Sequence, residues 1–215
     1  MKIILSRHGN TFSVTDPVVW VGATQDLPLV DSGILQAQCL AQALQKADIH
    51  PKAVYCGPLK RTRDYAAMVL EQIHSAKKPI IDPRLNEIDY GNWAGLTNTQ
   101  IQEIDEGEEL SAWENLSAWP KFAGWSGSPT HMIKEIREFS RDLTKKYAAT
   151  DTILVISSNG RLRYFLKLIP DLFEQHVQSK TFKVATGNIC LLSYENRRWQ
   201  MQFWNKKPEY LLQLF

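Results

Sequence analysis

Residues 152–160 read Thr-Ile-Leu-Val-Ile-Ser-Ser-Asn-Gly, and the pattern in this stretch decides the fold class. Thr152 to Ile156 is a continuous β-branched and aliphatic run with no polar alternation. Such a run predicts a strand buried on both faces, the usual condition of a strand inside a parallel sheet. Ser157, Ser158, Asn159 and Gly160 end it, and Leu162, Phe165, Leu166 and Ile169 then recur at helical spacing.

The same strand-then-helix unit occurs upstream. Lys2 to Leu5 is a short apolar run, followed by a polar loop containing Asp16-Pro17. Asp31-Ser32-Gly33 offers a helix start, with Ile34, Ala37, Ala41 and Leu44 on one face. Ala53 to Tyr55 reads as a second strand ended by Gly57-Pro58, and Ala66, Val69, Leu70 and Ile73 mark the next helix. Downstream, Asn188 to Tyr194 and Arg198 to Trp204 flank Glu195-Asn196-Arg197 as an antiparallel hairpin. Alternating strands and helices predict an α/β fold with a mostly parallel central sheet. Ligands in such sheets bind at the carboxyl ends of the strands, so chemistry is sought in those loops.

The pattern weakens at about residues 98–130. This stretch holds Trp113, Trp119 and Trp125 and the acidic run Glu103 to Glu109, and reads as a helical insertion within a single domain spanning 1–215. Core and lid packing is the default for these tryptophans, and a substrate-shaping wall is the sharper alternative. A long helix follows, with Met132, Ile133, Ile136, Phe139, Leu143 and Tyr147 on its apolar face.

Composition narrows the function classes. Of 215 residues, 44% are hydrophobic and 22% charged, which excludes a disordered or collagen-like chain. A net charge of +2 gives no case for nucleic acid or an anionic membrane. No apolar run reaches the length of a membrane span, and the start MKIILSRHGN lacks the apolar core of a signal peptide. Cys39, Cys56 and Cys190 are scattered and odd in number, so a reducing cytoplasm is expected, with no disulfide framework or zinc site.

Three loops carry candidate chemistry. The first strand runs into Arg7-His8-Gly9. Most Arg-His pairs are structural, but this one stands where a parallel strand delivers side chains to the ligand edge. A guanidinium there attracts a dianion, and Gly9 allows close backbone approach. The second strand ends at Tyr55-Cys56-Gly57-Pro58-Leu59-Lys60-Arg61-Thr62, which puts Arg61 in the first turn of a helix where anions are favoured. The alternative is a solvated basic stretch. The third, Leu85 to Thr97, embeds Glu87 and Asp89 among apolar and aromatic neighbours, where a general acid would gain a raised pKa. Chemistry alone does not choose between these two carboxylates.

LSRHGNT (5–11), DLPLVDSGILQA (26–37), YCGPLKRT (55–62) and LNEIDYGNWAGLT (85–97), in that order and spacing, resemble the histidine phosphatase superfamily, the phosphoglycerate mutase-like family. VISSNGRLR (155–163) resembles its fourth block and Asn188 to Leu192 its penultimate strand. The resemblance spans nearly the whole chain and is weak only from about 98 to 150. It implies a three-layer αβα sandwich and a phosphomonoester hydrolase that works through a phosphohistidine, with no metal or cofactor.

By the same resemblance, His8 is the nucleophile and Glu87, not Asp89, is the acid. Arg7 and Arg61 bind the phosphate, and Asn10 and Gly22 face the substrate. Two departures stand out. Val14 replaces a polar residue that usually contacts phosphate. Ser158 stands where the fourth block supplies a second pocket histidine, so Ser158 and Asn159 are expected on the phosphate and turnover is expected to be slow. Asn159 or Arg161 could compensate, and both could equally be capping or surface residues.

The expected ligand is a small phosphate ester, a phosphoprotein or free phosphate. Two alternatives stay open. One is a catalytically impaired phospho-ligand binder. The other is a mutase-type phosphotransferase, disfavoured by the acidic insertion and its lack of an Arg-Arg pair.

Overall fold

The computed structural model describes residues 1–105 and 107–213; Glu106 of the acidic run lies outside the described residues, as do the last two positions. Among the described residues, six strands form one sheet: β1 (Lys2–Arg7), β2 (Ala53–Cys56), β3 (Ile80–Ile81), β4 (Thr152–Ser157), β5 (Ile189–Glu195) and β6 (Arg198–Lys206). Their order is β3-β2-β4-β1-β5-β6. Parallel pairing joins β3, β2, β4 and β1, while β5 runs antiparallel to both β1 and β6. The sheet is therefore mixed, with one strand opposing the other five.

Its helices are α1 (Asp31–Lys46), α2 (Lys60–Gln72), α3 (Asn98–Asp105), α4 (Glu108–Leu116), α5 (Pro129–Lys146), α6 (Asn159–Leu162) and α7 (Leu172–Gln178). No helix among the described residues is long and apolar enough to cross a membrane.

Successive strand side chains point to opposite faces, and β1 and β4 use both. Ile3, Leu5, Ile153 and Val155 enter one core with Ile136, Phe139 and Leu143 of α5. Ile4, Leu154 and Ile156 enter the other with Leu40 and Leu44 of α1 and Val69 and Leu70 of α2. Double-sided burial is why Thr152 to Ile156 carries no polar alternation. The α5 helix starts where Ser128 accepts a hydrogen bond from the His131 backbone N–H at 3.2 Å, with Pro129 in its first turn.

One sequence expectation changes, one strand is unforeseen, and one default reading holds. The helix expected from Leu162 to Ile169 is one α turn followed by a 3₁₀ segment, Arg163–Leu168. It stops at Ile169 because Pro170 bars the preceding residue from helical dihedrals. The edge strand β3 has only two residues, both exposed, so no apolar pattern announces it. Trp113 and Trp125 are buried in the core, with ring centroids 4.7 Å apart, and the half-buried Trp119 lies 5.2 Å from Trp125. Packing, the default role, is the one these three rings take.

The first loop is held against α1 by two glycines. A Cβ on Gly9 would stand 2.3 Å from the Gly33 carbonyl oxygen, and one on Gly33 would stand 2.2 Å from that of Asn10. Both neighbours are backbone, so neither can swing aside. Gly33→Ala is expected to force the α1 start away from β1 at a cost of about 1–3 kcal/mol, lowering Tm by several degrees. An unchanged melting curve would remove this contact from the account.

Candidate active site

The carboxyl ends of β1 and β4 and the start of α2 open into one cavity of about 830 Å³. Arg7, His8, Asn10, Gly22, Arg61, Glu87 and Asn159 all line it. Parallel pairing sets Arg7 opposite Ser157, and the His8 N–H donates to the Ser157 carbonyl at 3.1 Å.

His8 is 5% exposed, and its Nδ1 lies 2.7 Å from the Gly9 carbonyl oxygen. A carbonyl only accepts, so Nδ1 carries the proton and Nε2 keeps its lone pair. Burial, then the charges of Arg61 and Arg7, hold the imidazole pKa well below the ordinary 6.5. His8 is thus neutral at physiological pH, the state a nucleophilic imidazole needs.

The two arginines are fixed by backbone. Arg7 Nη1 donates to the Val184 carbonyl at 2.8 Å. Arg61 is 2% exposed and donates from Nη1 to the Gln25 carbonyl at 2.9 Å and from Nη2 to that of Gly22 at 2.7 Å. Burial lowers both pKa values from 12.5, while Glu87 and Tyr90 pull them back up. Each guanidinium has five N–H donors, so each keeps some for an anion. Arg7 Nε is buried with no partner among the described residues.

Glu87 is 8% exposed; one carboxylate oxygen accepts from the Ile88 N–H at 2.9 Å and the other from the Gly160 N–H at 3.2 Å. A Cβ on Gly160 would meet Glu87 Oε1 at 2.4 Å, so glycine alone admits the carboxylate here. The Tyr90 hydroxyl hydrogen-bonds Glu87, and burial raises its pKa well above 10, which keeps its proton in place. Asp89 is elsewhere: it accepts from the Gly91 N–H at 3.1 Å and the Ser126 hydroxyl at 2.8 Å, and does not line the cavity.

The fourth block behaves differently from its sequence reading. Asn159 lines the cavity, with Oδ1 accepting from the Val184 N–H at 2.9 Å. Ser158 is 1% exposed and does not line the cavity; its hydroxyl is buried with no partner among the described residues. Arg161 also points elsewhere, donating from Nε to the Asn86 carbonyl at 2.8 Å and from Nη1 to Glu135 at 2.6 Å. It braces the backbone before Glu87.

Sequence reasoning did not single out Tyr90, Arg163, or the Lys183–Glu114 ion pair on the cavity wall. Arg163 is 1% exposed, with its guanidinium 3.9 Å from the Trp113 ring centroid and 4.8 Å from that of Phe182. An arginine inside the apolar run Leu162 to Leu166 was the available signal.

Residues 3–207 match the model of the histidine phosphatase superfamily, branch 1, and the chain belongs to that family. Phosphoserine phosphatase 1 of Hydrogenobacter thermophilus is 34% identical over 103 residues, 48% of this chain and 46% of that one. The chain spans about half the length of the curated phosphatases it matches at this level. A 2,3-bisphosphoglycerate-dependent phosphoglycerate mutase of Maricaulis maris is 24% identical, over 91% of this chain and 89% of that one. A mycobacterial glucosyl-3-phosphoglycerate phosphatase solved with VO3 has a TM-score of 0.79 at 22% identity, covering 96% of this chain and 99% of that one. The likeness in fold accounts for the αβα arrangement.

Buried neutral His8 also sets a pH dependence. Below pH 6.5 the unfolded chain binds a proton that native His8 refuses. Its contribution to stability is complete above that pH and is lost as pH falls toward the native pKa. Between about pH 7 and pH 5, Tm should fall more steeply in the wild type than in His8→Gln. Equal slopes would show that His8 is not held neutral.

Proposed function

We propose that the chain is a phosphomonoester hydrolase acting through a phosphohistidine at His8, on a small phosphorylated metabolite or a phosphoprotein. One observation carries this reading: the unprotonated Nε2 of His8 shares a cavity with the guanidinium groups of Arg7 and Arg61 and with Glu87. Nε2 attacks phosphorus in line with the ester oxygen. The P–O bond breaks as the N–P bond forms, and Arg7 and Arg61 neutralise the equatorial oxygens. Glu87, in its protonated form, gives the departing alkoxide its proton. Water then attacks the phosphohistidine, Glu87 takes the proton from that water, and phosphate leaves with His8 regenerated. The phosphatases among its relatives support hydrolysis as the outcome.

Ser158 makes the site slow in this reading. The pocket lacks a second imidazolium, and losing one donor aimed at developing charge costs about 10²–10³ in rate. The mutase match favours a second reading of the same site, in which the phosphoryl group returns to another hydroxyl.

The test is phosphate release from a panel of phosphorylated metabolites, with loss of all release expected in His8→Ala. Isomerised ester that forms only with a bisphosphorylated primer would move the assignment to a mutase. Binding of phosphate without release, in wild type and Ser158→His alike, would move it to a binder.

Two variants probe individual roles. Glu87→Gln should slow alkyl phosphates far more than p-nitrophenyl phosphate, whose leaving group needs little protonation; equal losses would remove Glu87 as the acid. Ser158→His should raise kcat about tenfold by restoring a donor, and an unchanged kcat in a folded variant would show that position 158 does not limit the rate.

A further inference from the structure

On the far side of α5 from its buried stripe, two recesses of about 510 and 450 Å³ adjoin and share Arg137, Arg141 and Lys167. They have no lining residue in common with the cavity that holds His8. Lys134, Arg137 and Arg141 come from one side of α5, Lys167 from the 3₁₀ segment and Arg197 from the β5–β6 turn. Glu138 is the one carboxylate on these walls. For a chain of net charge +2, this gathers more positive charge than the whole molecule shows.

Only part of this charge is answered by a carboxylate. Lys167 pairs with Glu174, and the neighbouring Asp142 bonds Arg84 and also feels the charge of Arg141. Among the described residues, Arg137, Arg141 and Arg197 form no ion pair. Arg137 and Arg141 stand four residues apart on one helix face, a spacing at which like charges repel, and Glu138, three residues before Arg141, is the one acidic neighbour on that wall. Arg197 sits at φ +60°, a left-handed conformation unfavourable for a residue with a Cβ. A turn selected for stability alone would carry glycine or asparagine there.

The groove has an aromatic side. Tyr194 and Trp199 are cross-strand partners of β5 and β6, with ring centroids 5.0 Å apart and planes at 49°, and both line the larger recess half-exposed. A flat π face beside several arginines suits a ligand that is aromatic at one end and polyanionic at the other. Each recess has the size of a small-molecule site.

We propose that this groove is a second, non-catalytic binding site for an aromatic polyphosphate of the nucleoside di- or triphosphate class. The base lies against Trp199, and the phosphates lie among Arg137, Arg141, Lys167 and Arg197.

Calorimetry with the nonhydrolysable ATP analogue AMP-PNP, in the presence of saturating orthovanadate, tests this separately from any activity at His8. One equivalent is expected to bind despite the vanadate. Arg137→Ser and Arg141→Ser should each weaken binding about tenfold or more, as expected for the loss of a charge-assisted contact. Arg197→Gly, which suits its own backbone and so cannot fail by unfolding, should raise Tm and still weaken binding. Trp199→Ala should reduce AMP-PNP to the affinity of inorganic tripolyphosphate. Four results would overturn the proposal: no binding, displacement by vanadate, unchanged affinity in the arginine variants, or tripolyphosphate binding as tightly as AMP-PNP to the wild type. Tighter binding of a single-stranded oligonucleotide than of AMP-PNP would overturn it too, by making the groove a nucleic-acid surface.

Discussion

Arg7 stands opposite Ser157 in the parallel ladder of β1 and β4, and the cavity is built outward from that pair. One residue past Arg7 is His8; two residues past Ser157 is Asn159. Because β2 also pairs with β4, Cys56 is level with Ile156, and the chain reaches Arg61 at the head of α2. Groups far apart in sequence thus converge because three strands end together. A slip of one residue in the β1–β4 register would send every apolar side chain of β1 to the wrong core. The two-sided burial of these strands protects the site from that error.

The cations of this site are compensated by the charge of Glu87, which raises the pKa of Arg7 and Arg61, and by neutral dipoles. Arg61 points at the carbonyls of Gly22 and Gln25, Arg7 at that of Val184, and Arg163 at the Ser117 hydroxyl and two aromatic faces. Carbonyl dipoles orient a guanidinium without neutralising it, so positive potential is retained for an anion. A carboxylate in direct ion-pair contact would have cancelled more of it. Arg7 Nε, Arg163 Nε and Ser158 Oγ are three of the six buried polar atoms without a partner among the described residues. Buried unsatisfied donors are rare in packed interiors and tend to mark functional ground.

Much of the fold was legible because buried parallel strands leave a plain signature. Thr152 to Ile156, Lys2 to Leu5 and the Asp31 helix start are all found close to where their patterns put them. What escaped lacks a local pattern. The exposed pair Ile80–Ile81 is a strand only because β2 offers it an edge. Nor does periodicity encode the 3₁₀ geometry of Arg163–Leu168.

By itself the sequence determined the class of fold and the order of its loops, since both rest on short-range chemistry: strand burial, helix starts, glycine and proline. It also brought the candidate residues into view, and left Glu87 and Asp89 chemically equal. Tertiary structure separated them, by closing Gly160 against Glu87 and giving Asp89 to Ser126 and the Gly91 backbone. It likewise withdrew Arg161 to Glu135 and Ser158 behind the cavity wall. A side chain's partners are set by which distant backbone arrives beside it, and that depends on strand pairing across more than a hundred residues.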